Sequence, residues 1–308
     1  METSIQRPSR VWLAIIVLYA ISARAQAPAE LPAIKPIESL WLTSPQLFTG
    51  PSTELKNWRR VFDGIMLLKL PPTFSDNGDF TTRANALIKD VGGEFVLVTL
   101  PVGTEGWESS ANRRLAERQP GGHYDPAKAV PQLQWLETLR GIDSSTWAWI
   151  LEQPARMPSP EQAAKSAAEF VRFAKAQHKK AAIWLSAEAL TKPRFEELTR
   201  SICEATSAGA DFYGWMDLPG AAMQAGANWQ ESLNALLDEI LAMTPREKTI
   251  IQWSHLPNLP TKDVAGTTAY IIACQAKGIN RFCLLSRPQF LGRSPWNDFY
   301  RRLPKTAR

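Results

Sequence analysis

The sequence predicts a (β/α)8 barrel, and three observations carry that reading. Eight short apolar runs alternate with helical segments along the chain, with no strand-rich or helix-rich half. The runs are apolar on both faces, as parallel strands are when helices cover the sheet on either side. Three successive runs each deliver an acid at the C-terminal end, where parallel α/β folds place their chemistry.

Residues 1–27 read as a secretory signal peptide, outside the fold. Arg7 and Arg10 precede an apolar core over 11–21, and Ala23-Arg24-Ala25 or Ala25-Gln26-Ala27 supplies the small-x-small cleavage site. The core is shorter than the ~20 apolar residues of a membrane span, and no cysteine follows it to take a lipid. No later stretch has the length and apolarity of a span, so the expected location is periplasmic or secreted. Residues 28–37, rich in Pro and Ala, read as an extended linker, and 38–308 as the barrel domain. That length suits one such barrel, which takes ~250 residues.

The first strand is expected over 39–44, followed by a helix over 53–60. The second covers 62–70, and its helix over 81–91 stops at Gly92-Gly93, the glycine signal of a helix C-terminus. Strand three, 94–100, leads into an irregular stretch over 101–124 that carries Glu105, Trp107, Glu108 and His123. Loops of that length are lids or binding loops, and this one would lie over the barrel mouth. Asp125-Pro126 fits an N-cap with proline at the first helical position, opening a helix to Gly141. Strand four is 145–152. Ser159-Pro160-Glu161-Gln162 fits a capping box for a helix to about His178. Strand five is 181–188, and its helix runs over 194–205. Strand six is 211–217, closed by Leu218-Pro219-Gly220. Asn228 with Glu231 caps a helix to Met243, strand seven is 249–255, a helix covers 263–277, and strand eight is 281–286. A last short helix is expected over 296–303.

An open doubly wound sheet that binds a dinucleotide would want a glycine-rich turn after strand one. Thr43-Ser44-Pro45-Gln46 is not one, and no GxGxxG, P-loop or GxSxG elbow occurs elsewhere. The histidines show no HxH or HExxH spacing and the cysteines no CxxC, so neither metal nor cofactor is expected. Loss of the leader leaves 32 basic and 29 acidic residues of the original 35 and 30, a net charge of +3. The basic residues are scattered, whereas nucleic-acid binding wants a concentrated basic face. Cys203, Cys274 and Cys283 read as small buried apolar side chains, although export would permit one bridge.

The candidate chemistry lies at the strand ends. Glu152 ends strand four, Glu188 strand five and Asp217 strand six. Glycosidic cleavage needs two carboxyls about 5–5.5 Å or ~6.5–9.5 Å apart, and barrel strands ~4.8 Å apart can place them so. Glu152 and Asp217 are the expected pair, with Glu188 between them able to replace or tune either. Residues two apart on a strand share a face. On that parity Trp184 lies with Glu188, Tyr213 and Trp215 with Asp217, and Trp253 with His255. These aromatics, with Trp107 from the long loop, are the candidate wall for sugar rings. The competing reading is that Trp supplies bulk to the core. Lys69 and Arg287 end strands on the same rim, with Arg293 in the loop beyond. They would bind a phosphate or an acidic sugar, or balance the three acids.

This arrangement resembles the glycoside-hydrolase type of (β/α)8 barrel, on Glu152, Glu188 and Asp217 at successive strand ends with Trp beside them. Several such families carry their catalytic acids on strands four and six, or four and five. The resemblance thus implies catalytic roles for Glu152 with Asp217 or Glu188, and a carbohydrate substrate. The largest clan instead has Asn-Glu-Pro on strand four and Glu ending strand seven. Here those positions read Leu151-Glu152-Gln153-Pro154 and Ser254-His255. Two readings follow: an exported glycosidase, or a non-catalytic barrel that binds carbohydrate or a cell-surface partner. A phosphate-ester or lyase enzyme using Lys69 and Arg287 is a third.

Overall fold

The structure, a computed structural model, describes residues 33–43, 61–69, 77–91, 94–99, 138–151, 159–286 and 292–306. Eight parallel strands close in sequence order: β1 Ser39–Thr43, β2 Gly64–Lys69, β3 Glu94–Thr99, β4 Thr146–Leu151, β5 Lys180–Ser186, β6 Phe212–Met216, β7 Thr249–Ser254 and β8 Arg281–Leu285. β8 returns to β1 with Trp41 opposite Cys283, which closes the barrel expected from the alternating pattern. The described α-helices are α1 Asn77–Val91, α2 Pro160–Ala176, α3 Pro193–Thr206, α4 Leu218–Ala225, α5 Trp229–Met243, α6 Val264–Ala276 and α7 Trp296–Arg302, with short 3-10 turns between elements. The helix expected over 53–60, the loop over 101–124 and most of the helix over 125–141 lie outside the described residues.

Local chemistry starts the helices. Ser159 Oγ accepts from the Gln162 amide at 3.1 Å, Asn228 Oδ1 from Gln230 at 3.1 Å and Asp263 Oδ1 from Gly266 at 2.8 Å. Each cap satisfies one of the orphan donors of a first turn, worth about 1 kcal/mol. One helix was not expected from the sequence. Leu218-Pro219-Gly220 does not merely close strand six but opens α4, with proline in its first turn.

Two packed layers divide the strand residues by parity. Leu40, Leu42, Ile65, Trp147, Trp149, Ile183, Leu185, Tyr213, Trp215, Ile251, Trp253 and Phe282 belong to one cluster with helix residues such as Phe170, Leu233 and Ile271. These side chains therefore face outward, under the helices. Trp41, Met66, Ala148, Ile150, Ala182, Trp184, Met216, Ile250 and Cys283 form a second cluster made of strand residues only, which is the barrel interior. At its centre Trp41 and Trp184 stack at 6.1 Å and 15°, and Trp184 Nε1 donates to Gln252 Oε1 at 3.0 Å. Two indoles fit abreast because their neighbours lack side chains. A Cβ on Gly214 would come within 2.1 Å of the Trp184 ring, and one on Gly64 within 2.8 Å of Trp41. Phe212 meets Trp41 edge-on at 5.4 Å, with the Lys180 ammonium and Arg281 guanidinium each 5.7 Å from its ring.

The N-terminal end of the barrel is tied by backbone and charge. Asp63, largely buried, accepts from the Leu40 amide at 2.8 Å and pairs with Lys305 at 3.1 Å. Asp211 accepts from the Ala181 amide at 2.7 Å and pairs with Lys175 at 2.6 Å. The stretch read as a free linker is fastened at its end. Ile37 is buried and bridges Lys305, and the Gln275 side chain exchanges two 2.8 Å hydrogen bonds with the Lys35 backbone. The two ends of Ile34–Arg308, one compact unit, thus meet at that end of the barrel. Cys203, Cys274 and Cys283 are buried free thiols, and burial pushes that of Cys203 up to about 12.

Candidate functional site

The opposite rim holds the predicted acids that can be placed. Neither lies on its strand. β6 ends at Met216, and Asp217 is the next residue, at φ 57° and ψ 20°. That left-handed conformation costs ~1–2 kcal/mol for most residues, and Asp is among the few that tolerate it. It turns the chain from β6 into α4, whose first bond runs from the Ala221 amide to the Asp217 carbonyl at 2.9 Å. Glu188 sits on a 3-10 turn, Ala187–Thr191, that follows β5. Thr191 Oγ1 donates to the Glu188 carbonyl at 2.8 Å and fixes the turn. Glu188 Oε1 accepts from Gln224 Nε2, on α4, at 3.3 Å.

The two acids feel each other. Asp217 is exposed as a residue, yet the protein crowding its carboxyl raises the pKa above the usual carboxylate value, and the Glu188 charge raises it further. Among the described residues neither carboxylate makes an ion pair. Glu152, Trp107 and Arg287 lie outside the described residues, as does the Lys69 side chain, so only its place at the end of β2 is fixed.

The aromatic wall expected from strand parity is not formed by the described Trp and Tyr residues. Tyr213, Trp215 and Trp253 are at most 1% exposed and face the helices. Tyr213 Oη is 3.1 Å from Thr206 Oγ1 of α3, and Trp253 meets Phe282 edge-on at 5.6 Å. Trp184 does face inward, but it is fully buried at the barrel centre. The reason is parity: β6 turns Gly214 and Met216 inward, and Asp217 regains the rim only through its left-handed turn. All four are core residues, the bulk role set against the wall above. Gln224 is the contact that strand-end reasoning missed, since nothing marks a helical glutamine in a sequence.

His255, which strand parity sets with Trp253 among the candidate site residues, is engaged by the protein on both ring nitrogens. Nδ1 lies 2.7 Å from the Thr261 carbonyl, which only accepts, so the proton sits there. Nε2 then accepts from the Tyr300 hydroxyl. The ring also stacks on Trp296 at 3.6 Å. It joins the end of β7 to α7 and to the loop before α6. Burial pushes its pKa down to about 4, opposed only by the Thr261 hydrogen bond.

A lowered pKa means that the unfolded state binds the extra proton first. The stabilisation is therefore complete above ~6.5 and lost as pH falls toward 4, by about 3 kcal/mol. Denaturant melts of wild type and His255→Gln at pH 7.5 and 4.5 should show the difference between the two proteins shrinking at the lower pH. A constant difference would remove the histidine from the acid response.

No family model matches the chain, and no curated protein matches it in sequence. Solved structures match across its length. The glycoside hydrolase domain of PgaB (BpsB) from Bordetella bronchiseptica is 12% identical and superposes with a TM-score of 0.56, over 88% of this chain and all of that domain. A GH18 chitinase from Pseudoalteromonas aurantia is 10% identical with a TM-score of 0.56, over 85% and 97% of the two chains. The spore cortex-lytic enzyme SleL from Bacillus megaterium is 12% identical with a TM-score of 0.53, over 99% and 87%. The chain thus shares the TIM-barrel fold of these structures, and at such identities the likeness establishes the fold. Among the described residues no cluster of His, Cys, Asp or Glu is placed to hold a metal ion. No described helix is long and apolar enough to cross a membrane.

Proposed function

We propose that the chain is an exported glycoside hydrolase acting on a polysaccharide or glycoconjugate, with Asp217 as its general acid. The observation that carries this reading is Asp217 itself. It is a titratable residue in a left-handed conformation at the C-terminal end of a barrel strand, with a raised pKa and a second carboxylate as neighbour. Strained backbone and perturbed acids gather at functional sites. A raised pKa shifts Asp217 toward the protonated form that a general acid needs.

The second carboxyl is Glu152 or Glu188. It acts as nucleophile if its separation from Asp217 is about 5–5.5 Å, or activates water if ~6.5–9.5 Å. The Glu188 charge adds to burial in favouring the protonated form of Asp217. Lys69 and Arg287 would recognise acidic substituents on the glycan. Export rests on the leader over 1–27, and the N-terminus of the mature protein should be Gln26 or Pro28. Fold kinship with the PgaB domain, SleL and the chitinase supports carbohydrate as the substrate class.

The test is release of reducing ends by the mature chain from chitin, deacetylated chitin, peptidoglycan and uronic-acid polymers, with the product anomer followed by NMR. Turnover of one of them, lost in Asp217→Asn, supports the proposal. Binding without any turnover favours the non-catalytic barrel in its place.

A further inference from the structure

A groove lined from α4, α5 and the loop after β7 has no part in the chemistry above. α4 begins directly after Asp217, and Met223, about 9 Å along its axis at ~1.5 Å per residue, lines the groove. Trp229, at the first turn of α5, lines it as well, with Pro257, Asn258, Leu259 and Lys262 from the β7–α6 loop. The volume is about 320 Å³, at the lower end of the ~300–1,000 Å³ of small-ligand sites. Met223 is 46% exposed, and Leu256 beside the groove 55%; they are the large apolar side chains left exposed among the described residues. Trp229 is half-buried.

The loop wall is held in place before any ligand arrives. Thr261, fully buried, donates to the Ser254 carbonyl at 2.6 Å, and its own carbonyl accepts from Thr267 Oγ1 and His255 Nδ1. Turns close from Leu256 to Leu259 and from Leu259 to Lys262, at 3.0 and 3.1 Å. At Gly266 a Cβ would stand 1.8 Å from the Pro260 carbonyl, so the loop lies directly against α6. His255, in place of a substrate contact, serves this loop.

We propose that the groove is a sugar subsite, holding one pyranose unit of the glycan chain whose neighbouring bond lies at Asp217. The inference rests on the carbohydrate reading above. Its lining is amphipathic: an indole, a thioether and two prolines share it with an amide and an ammonium. A pyranose presents the same pattern, an apolar C–H face with hydroxyls round its edge. An apolar peptide or acyl chain would leave Asn258 and Lys262 covered and unpaired, which is costly. Gln224, next to Met223, reaches back to Glu188, so one helix carries the groove wall and a contact to the acid pair.

The test uses the full mature chain with Asp217→Asn, so that binding is read without turnover. Hexamers of N-acetylglucosamine, glucosamine, glucose and a uronic acid are titrated by calorimetry. A double substitution, Met223→Ala with Asn258→Ala, should weaken the hexamer that binds by about tenfold or more. Both side chains are exposed, so the fold is spared; Trp229→Ala, with circular dichroism as control, should weaken it further. Hexamer affinity unchanged in both variants overturns the subsite and leaves the carbohydrate reading standing. If no hexamer binds the parent, the carbohydrate reading fails and the subsite with it.

Discussion

Asp217→Asn should lower kcat by about 10²–10⁴-fold on the glycan that the wild type cleaves, the range for loss of one general acid. Asn accepts the left-handed conformation at φ 57° as Asp does, so the turn into α4 survives. The variant also removes a charge that the folded protein disfavours. The sign follows from the raised pKa: a carboxyl harder to ionise when folded makes its ionised form destabilising at neutral pH. The melting temperature should therefore hold or rise slightly. Asp217→Ala should lose the same activity and, unlike Asn, also lose ~1–2 kcal/mol, because alanine resists this backbone conformation. In wild type kcat/KM should fall on the basic side as Asp217 ionises, and that limb should vanish in the Asn variant. Full turnover by Asp217→Asn would sink the assignment.

Gly214→Ala should be among the most destabilising single changes in the chain, although it adds one methyl group. At an unconstrained site the change would stabilise by ~0.4–1 kcal/mol through the unfolded chain. Here the new Cβ meets the Trp184 ring at 2.1, 2.2 and 2.4 Å. The indole cannot step back. Trp41 lies stacked on it, and Nε1 is held by Gln252. The cost should be about 3 kcal/mol, the upper end for overpacking, or a fall of roughly 6–12 °C in melting temperature for a domain of this size. Trp184→Leu alone should also cost stability, through the cavity and the unpaired Gln252. Combined, the two should cost at least ~1 kcal/mol less than their separate effects together, since each relieves the other. Strict additivity in that cycle would show that the ring and the glycine do not compete for one space.

How far the sequence could be read shows in particular residues. Ser159 and Asn228 cap their helices as their spacing predicts, because capping is decided within one turn of chain. The eight strands were legible because apolar runs between helices have few other uses. The facing of Tyr213, Trp215 and Trp253 was not. Strands apolar on both faces give the parity of each residue but not its sign. Gly214 held the missing sign, since a glycine inside a strand marks close approach by a neighbour, and the alternate residues Phe212 and Met216 face inward with it. The place of Asp217 was nearly legible: it was read as the last residue of strand six and is the first beyond it. The partners of His255 were not legible, because Thr261 and Tyr300 lie in a loop and in a final helix that no local pattern joins to β7.

The sequence by itself determined the barrel, the helix starts, and a rim on which acids gather, because these follow from periodicity and caps that act over a few residues. Only the tertiary structure decided which aromatics became core, that His255 meets Tyr300 of α7, and that α4 sets Gln224 against Glu188. Those outcomes depend on which face of each strand closes inward and on contacts between residues 36 to 68 positions apart. No local stretch of the chain encodes either.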